Sequence, residues 1–374
     1  MIIPLIEIEN GLNKESGIMR WLCPYCSFEE NLFNSYYWRC PRCYKPLDIK
    51  YHSTKTLNYS HRRNIWEKYA EILPFTPGTT RGEGSTPLIV ENDGSNTVLF
   101  KLEYLNPSGS FKDRGSALAI YYGYRMRFKK VIEDSSGNTG ISVTLYSKLY
   151  GLKPLIVMPR NAPEGKKKAI LQMGGEIVEA NNRDEASKMI QVFLEKETNI
   201  YYVAHLWSPF YILGASTIAY EVIEEFGAPD YVILPIGSGG LLLGIAHGFE
   251  RAVKMGIINK LPKIIGVQGY SVQPVHEAYK GFHLPGESSD LADGLMVSNP
   301  PRLAEIVKAL KTFKGDILLV GNSEIRKATI DLWEQGFLVE PTSAVTYAVY
   351  KKIRDDLRGS SILIILTGSG LKTL

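Results

Sequence analysis

Cysteine is scarce and confined: the 374 residues carry four, all between Cys23 and Cys43. Thiols in so short a stretch cannot brace the rest of the chain, which excludes a disulfide scaffold and favours a local metal site in a reducing compartment. Long apolar runs are missing as well. No stretch of about 18 uninterrupted apolar residues occurs, and no basic segment precedes an apolar core at the start. Neither a membrane span nor a signal peptide is read, and a cytoplasmic location is expected. Charge of one sign is also in short supply, since 43 Lys and Arg against 39 Asp and Glu leave +4. The cations are dispersed, so no nucleic acid or membrane surface is expected as a partner, and a small molecule fits better. At 44% hydrophobic and 22% charged residues, the chain can bury the cores of two or three domains.

The first fifty residues hold every cysteine and show little periodicity, so they read as a small appended module. Cys23-Pro24-Tyr25-Cys26 and Cys40-Pro41-Arg42-Cys43 are two knuckles 13 residues apart. Four thiolates in that pattern suit a closed tetrahedral structural zinc site with Cys23, Cys26, Cys40 and Cys43 as ligands; two disulfides or four free thiols are the alternatives. Residues 51–83 read as a polar linker punctuated by Pro74, Pro77 and Gly78. Beyond it, short β-branched apolar runs alternate with helix-like segments. Residues 98–102, 130–133, 154–158, 176–179, 231–234, 264–267 and 361–366 read as buried strands, and 115–128, 139–149, 183–195 and 214–226 as helices. Regular alternation predicts an α/β fold with open, twisted, mostly parallel sheets, because a parallel crossover needs a helix-length connection. Ligands in such folds bind beyond the carboxyl ends of strands, near helix N-termini.

The turns at those positions carry the chemistry. Asn106-Pro107-Ser108-Gly109-Ser110-Phe111-Lys112-Asp113-Arg114-Gly115 follows a strand and opens a helix. A lone lysine is ordinarily a solvated surface charge. At a strand-to-helix mouth beside Phe111, Lys112 can instead be desolvated and made nucleophilic. Ser135-Ser136-Gly137-Asn138-Thr139-Gly140 can hold an anion on backbone amides and hydroxyls, though one of its hydroxyls could be an ordinary N-cap. Pro235-Ile236-Gly237-Ser238-Gly239-Gly240-Leu241 is placed to cradle a phosphate. It is neither a dinucleotide fingerprint nor a Walker loop, since the third glycine spacing fails and no Lys-Ser or Lys-Thr follows.

The run Ser110-Phe111-Lys112-Asp113-Arg114-Gly115 resembles the Schiff-base lysine segment of fold type II pyridoxal phosphate enzymes, in the form most similar to threonine synthases. Gly82-Glu83-Gly84-Ser85-Thr86-Pro87-Leu88 and Leu366-Thr367-Gly368-Ser369-Gly370-Leu371-Lys372 resemble further segments of that family, and the likeness spans nearly the whole chain. The resemblance implies two α/β domains, a large pyridoxal phosphate-binding one over 51–102 plus 203–374 and a small one over 103–202, with a zinc-ribbon-like module over 1–50. It implies pyridoxal 5'-phosphate as cofactor, Lys112 as the residue joined to it, and Gly237, Ser238, Gly239, Gly240 and Leu241 as its phosphate cup. Asn138 would meet the ring hydroxyl, and Thr367 the pyridine nitrogen. Thr86, Ser136, Gly137 and Thr139 would hold the amino-acid substrate. The activity implied is that of a carbon–oxygen lyase, converting O-phosphohomoserine and water to threonine and phosphate, in a homodimer.

The likeness departs at residues 208–217, Ser-Pro-Phe-Tyr-Ile-Leu-Gly-Ala-Ser-Thr, where an acid and the cations of the family pattern are absent. A phosphate monoester calls for a cation or several amides, and Lys101, Arg114, Lys166, Lys167, Lys168 and Arg302 are the replacements available. That departure keeps open a relative acting on phosphoserine, serine or threonine, or a non-catalytic paralogue. His205 reads as a hydrogen-bonded structural histidine and is left out of the catalytic candidates.

Overall fold

A computed structural model describes residues 19–52, 64–135 and 137–373. Three sheets organise them. The smallest is antiparallel, with Arg20–Leu22 between Glu29–Asn31 and Asp48–Lys50. The largest has six strands in the order Asp316–Val320, Lys263–Gly269, Tyr231–Pro235, Ser361–Ile365, Asn96–Lys101, Leu88–Asp93. Its first five strands are parallel and only Leu88–Asp93 runs against them. Ser361–Ile365, Ser-Ile-Leu-Ile-Ile, is buried from its second residue on, as a strand covered by helices on both faces must be. Leu88–Asp93 exposes most of its residues and carries Glu91 and Asp93, which blunts the open edge. A third sheet, fully parallel, orders Glu176–Ala180, Lys153–Pro159, Lys130–Asp134 and Ile200–Tyr202. Helices fill the crossovers, and the expected α/β architecture with mostly parallel sheets is the one observed.

Strand order explains where a site can form. In the six-stranded sheet the final strand, Ser361–Ile365, inserts between Asn96–Lys101 and Tyr231–Pro235. The turns after these three neighbours are the lysine loop, the Thr367 segment and the glycine loop, so topology alone gathers them at one edge. In the four-stranded sheet, Lys130–Asp134 and Ile200–Tyr202 are neighbours, and the turns after them carry Asn138 and His205.

Two helices join the lobes. Lys112–Arg125 and Pro209–Glu225 cross so closely that a Cβ on Gly214 would lie 2.3 Å from the Arg114 carbonyl oxygen, which excludes any side chain there. Ser208 caps the second helix by accepting from the Phe210 amide at 3.3 Å, with Pro209 at its first position.

The ribbon is less separate than its composition suggests. Trp21 is buried and packs edge-on against Tyr122 at 5.7 Å and Phe210 at 5.9 Å, so its core continues into both joining helices. Arg302, 1% exposed, fastens it from the other side, donating to the Leu47 carbonyl at 2.5 Å, Asp48 at 2.9 Å and the Trp207 carbonyl at 2.8 Å. Nor does the described part of 51–83 behave as a linker: Ile65, Trp66, Tyr69, Ile72 and Leu73 are all buried, because the ribbon and the Lys112–Arg125 helix supply apolar surface that the local sequence does not reveal.

Candidate active site

Lys112, Gly137, Asn138, Thr139, Gly237, Ser238, Gly239, Leu241 and Thr367 all line one cleft between the two larger sheets. Lys112 is the first residue of the Lys112–Arg125 helix, with Phe111 at the cap position. Its Nζ lies 4.9 Å from the centre of the Phe111 ring and 5.7 Å from that of Tyr211. Burial pushes the amine down to about 8, against the opposing pull of the Glu133 and Glu340 carboxylates and with help from Arg183. An amine so placed is substantially neutral near pH 8 and can attack a carbonyl carbon.

Opposite, the Asn138 side chain is held at both ends, donating to Glu340 at 2.7 Å and accepting from Lys372 Nζ at 2.8 Å. Lys166 is buried beside them, 2.9 Å from Asp293 and 3.7 Å from Glu340. Burial opposes its charge, but Glu340 and Asp293 more than offset that and raise its pKa. Ser135 accepts from the amides of Gly137 and Gly140, both at 3.2 Å, at the start of the Asn138–Leu149 helix, whose cap position is Gly137. Ser136 lies outside the described residues.

The glycine loop is shaped by contact. Gly239 sits at φ +85°, and a Cβ there would fall 2.1 Å from Ile306 Cδ1, so both conformation and space demand glycine. The amides of Gly237, Ser238 and Gly239 bond no acceptor among the described residues, and these three residues line the cleft at the start of the Gly240–Lys254 helix. Thr367 Oγ1 lies 2.9 Å from Ser343 Oγ, which also accepts from the Gly368 amide at 2.7 Å.

A family model described as "Pyridoxal-phosphate dependent enzyme" matches residues 79–368. This chain belongs to that family. It is similar to the threonine synthase of Methanocaldococcus jannaschii, 31% identical over 82% of this chain and 80% of that one. It is also similar to that of Methanosarcina acetivorans, 28% identical over 89% of this chain and 87% of the relative. Its fold is that of an O-acetylserine dependent cystathionine beta-synthase from Helicobacter pylori, with TM-score 0.67 and 23% identity over 78% of this chain and 95% of the other. The cysteine synthase of Entamoeba histolytica aligns at TM-score 0.65 and 21% identity, over 86% and 92% of the two chains.

The residues present fit a pyridoxal phosphate cofactor on their own chemistry. The family's aldehyde needs a neutral amine, which Lys112 offers; its phosphate needs free amides, which Gly237 to Gly239 offer; its ring needs polar partners, and Thr367 and Asn138 line the same cleft. A buried carboxylate oxygen, Glu340 Oε2, has no hydrogen-bond partner there.

Two residues singled out in the sequence are not brought into the cleft lining. Thr86 is 3% exposed and gives its hydroxyl to Glu103 at 2.6 Å. It belongs to a buried network in which Arg114 meets Glu103 at 2.7 Å and Glu221 at 2.6 Å, and Lys101 meets Glu221 at 2.8 Å. Gly240 begins the helix behind the loop, and its amide points back to Ser238 Oγ at 3.5 Å. Of the six cations named as replacements, Lys101, Arg114 and Arg302 are engaged in buried ion pairs, Lys167 pairs with Glu164 and Glu179, and Lys168 is exposed; Lys166, itself paired with Asp293 and Glu340, is the one that lines the cleft.

Two lining residues were not among the site candidates, Arg183 unread and His205 read as a hydrogen-bonded structural residue. Arg183, from the start of the Arg183–Lys196 helix, reaches the cleft and donates to the Asp293 carbonyl at 2.7 Å. His205 lines it with Nδ1 2.5 Å from Glu133 Oε1. No motif surrounds either residue; crossover geometry brings both there.

In the ribbon, four free thiols lie within 4.8 Å of one another, with Cys23–Cys43 at 3.4 Å and Cys26–Cys40 at 3.5 Å. Metal–sulfur bonds of about 2.3 Å put tetrahedral thiolates about 3.8 Å apart, so the cluster is sized for one such ion. Each knuckle closes with a residue in the left-handed region, Ser27 at φ 56° and Tyr44 at φ 59°.

Proposed function

We propose that this chain is a threonine synthase, converting O-phosphohomoserine and water to threonine and phosphate. The observation that carries the reading is the pair of cations, Lys166 and Arg183, lining the same cleft as Lys112. A phosphate monoester carries nearly two negative charges and needs such partners, which a neutral serine or threonine does not. The threonine synthases matched over most of both chains support the same substrate. The fold likeness to cysteine synthase and cystathionine synthase fits a serine-derived substrate equally well, and those reactions are the second reading.

Pyridoxal phosphate supplies an electron sink that acidifies the α carbon of a bound amino acid. Lys112 would hold the cofactor and would move protons at the α and β carbons of the substrate. The amides of Gly237, Ser238 and Gly239 would hold the cofactor phosphate, Asn138 and Thr367 would orient its ring, and Gly137 and Thr139 would take the substrate carboxylate at a helix N-terminus. The neutral Thr367 hydroxyl, unlike a carboxylate, would not force protonation of the cofactor ring, which suits elimination and replacement. Zinc held by Cys23, Cys26, Cys40 and Cys43 would have no open position and would be structural. We take the lobes as 51–102 plus 203–374 and 103–202, and the working form as a cytoplasmic homodimer, on the family resemblance.

The test is a substrate panel on the purified holoenzyme with O-phosphohomoserine, phosphoserine, serine and threonine, assaying threonine, phosphate and ammonia. Threonine and phosphate formed from O-phosphohomoserine are expected. Ammonia released from threonine, with no threonine synthesis, overturns the reading.

A further inference from the structure

The turn Gly370–Lys372 folds back onto the lysine loop. After the strand Ser361–Ile365 the chain runs beside that loop, the Phe111 amide donating to the Thr367 carbonyl at 3.0 Å and the Ser369 amide to the Gly109 carbonyl at 2.9 Å. This path carries the half-buried Lys372 side chain across the turn at Gly109. Its Nζ donates to the Gly109 carbonyl at 2.6 Å and, more weakly, to the Ser108 carbonyl at 3.4 Å. The third contact of the same nitrogen goes to Asn138 Oδ1 at 2.8 Å. Lys372 itself is not part of the cleft lining, whereas Asn138 is.

Those contacts decide which way the Asn138 side-chain amide faces. Its donor and acceptor ends have almost the same shape, and only their partners tell them apart. An amine already donating to two carbonyls takes the oxygen end. The carboxylate of Glu340, 2% exposed and 3.7 Å from Lys166 Nζ, takes the nitrogen end at 2.7 Å. Turning the amide over would set its oxygen against the carboxylate and its nitrogen against the amine, breaking both bonds at once. Gly368 closes one more side, since a Cβ there would fall 2.2 Å from Glu340 Oε1 and 3.0 Å from Asn138 Nδ2. Glu340 and Lys372 therefore hold the amide as a matched pair, one at each end.

We propose that Lys372 is a positioning residue for the cofactor: anchored on the Gly109 carbonyl, it fixes the orientation of the Asn138 amide and acts on the cofactor ring through it. The inference rests on the placement of Asn138 at the ring given above, and not on the identity of the substrate. The Gly109 carbonyl keeps the Ser369 amide when Lys372 is replaced, so the turn stays closed and the loss passes through Asn138. An amide free to turn over pays, on each binding event, for the orientation that Lys372 now supplies in advance.

The experiment measures pyridoxal phosphate affinity by equilibrium dialysis for the full chain, Lys372→Met, Asn138→Ala and the double variant, and repeats it with an analogue lacking the ring hydroxyl. Lys372→Met is expected to weaken cofactor binding about tenfold. The double variant should match Asn138→Ala within about twofold, and the analogue should bind the unmodified chain and Lys372→Met within about twofold of each other. Losses that add across the two sites, or an equal loss with the analogue, mark a general structural role and overturn the inference, as does unchanged affinity in Lys372→Met. Lys372→Gln, shorter and uncharged, carries the same comparison should the methionine variant not fold. An Asn138→Ala variant binding the cofactor as tightly as the unmodified chain removes the placement of Asn138 and this inference with it, while the substrate reading stands or falls on the product assay alone.

Discussion

Arg114 stands two residues after Lys112 in the same helical turn and offers the sharpest test of how the site is held. Fully buried, it grips Glu103 in a fork, Nε to Oε2 at 2.8 Å and Nη2 to Oε1 at 2.7 Å, while Nη1 and Nη2 reach Glu221 at 2.6 and 2.9 Å. Arg114→Met keeps the stem and removes the fork, leaving two buried carboxylates short of a cation. Glu221 still has Lys101 at 2.8 Å, whereas Glu103 keeps only neutral donors, the Thr86 hydroxyl at 2.6 Å and the Asn106 amide at 2.9 Å. Breaking one buried pair costs about 3–5 kcal/mol, which multiplies the unfolded fraction between roughly a hundredfold and a few thousandfold. Arg114→Lys restores the charge but cannot fork onto both acids, so an intermediate loss is expected. Adding Glu103→Gln to Arg114→Met should recover part of the loss, because the stranded charge goes with it. Urea unfolding followed by tryptophan fluorescence reads the stability, and the visible band of bound cofactor reports on Lys112. A shift equivalent to less than about 1 kcal/mol in Arg114→Met would refute the claim that this network anchors the lysine helix.

Lys112→Ala is expected to abolish the visible absorption of the bound cofactor; a band that persists in the variant moves the covalent attachment elsewhere. With the Lys112 amine at about 8, it is protonated and unreactive below that pH and free above it, so reconstitution of apoprotein with pyridoxal phosphate should quicken through about pH 8 and then level off. A rate still climbing near pH 10 would mean a solvated amine. Cys23→Ser should release the bound metal, measured as metal per chain, and shift the emission of Trp21, which packs against the ribbon core; unchanged metal content would exclude the four-thiolate site. Gly239→Ala, forced against Ile306 at φ +85°, should weaken cofactor affinity at least about tenfold, read by equilibrium dialysis, and unaltered affinity would place the phosphate elsewhere.

Legibility followed the range of the physics. The buried parallel strands were visible because each is a continuous β-branched run, and 231–234 is observed as Tyr231–Pro235. Asp316–Val320 and Ile200–Tyr202 went unread; the first opens on a charged residue, Asp316, and the second is only three residues long. Lys112, Asn138 and the glycine loop stood out because a turn that must bare amides or an amine needs particular residues in sequence. Thr86 shows the opposite case: its segment looks like a substrate loop, yet the nearest partner of its hydroxyl is Glu103, seventeen residues on and on another element.

The sequence by itself determined an α/β chain with a four-thiol knot, a nucleophilic lysine and a phosphate-cradling turn, because these depend on local periodicity and on short-range backbone demands. Only the tertiary structure decided that Lys166, Arg183 and His205 line the same cleft as that lysine, that Arg114 serves as an internal anchor, and that the ribbon packs against the lysine helix. Those outcomes turn on which distant surfaces meet across two sheets, and burial and charge pairing are properties of that meeting rather than of any one segment.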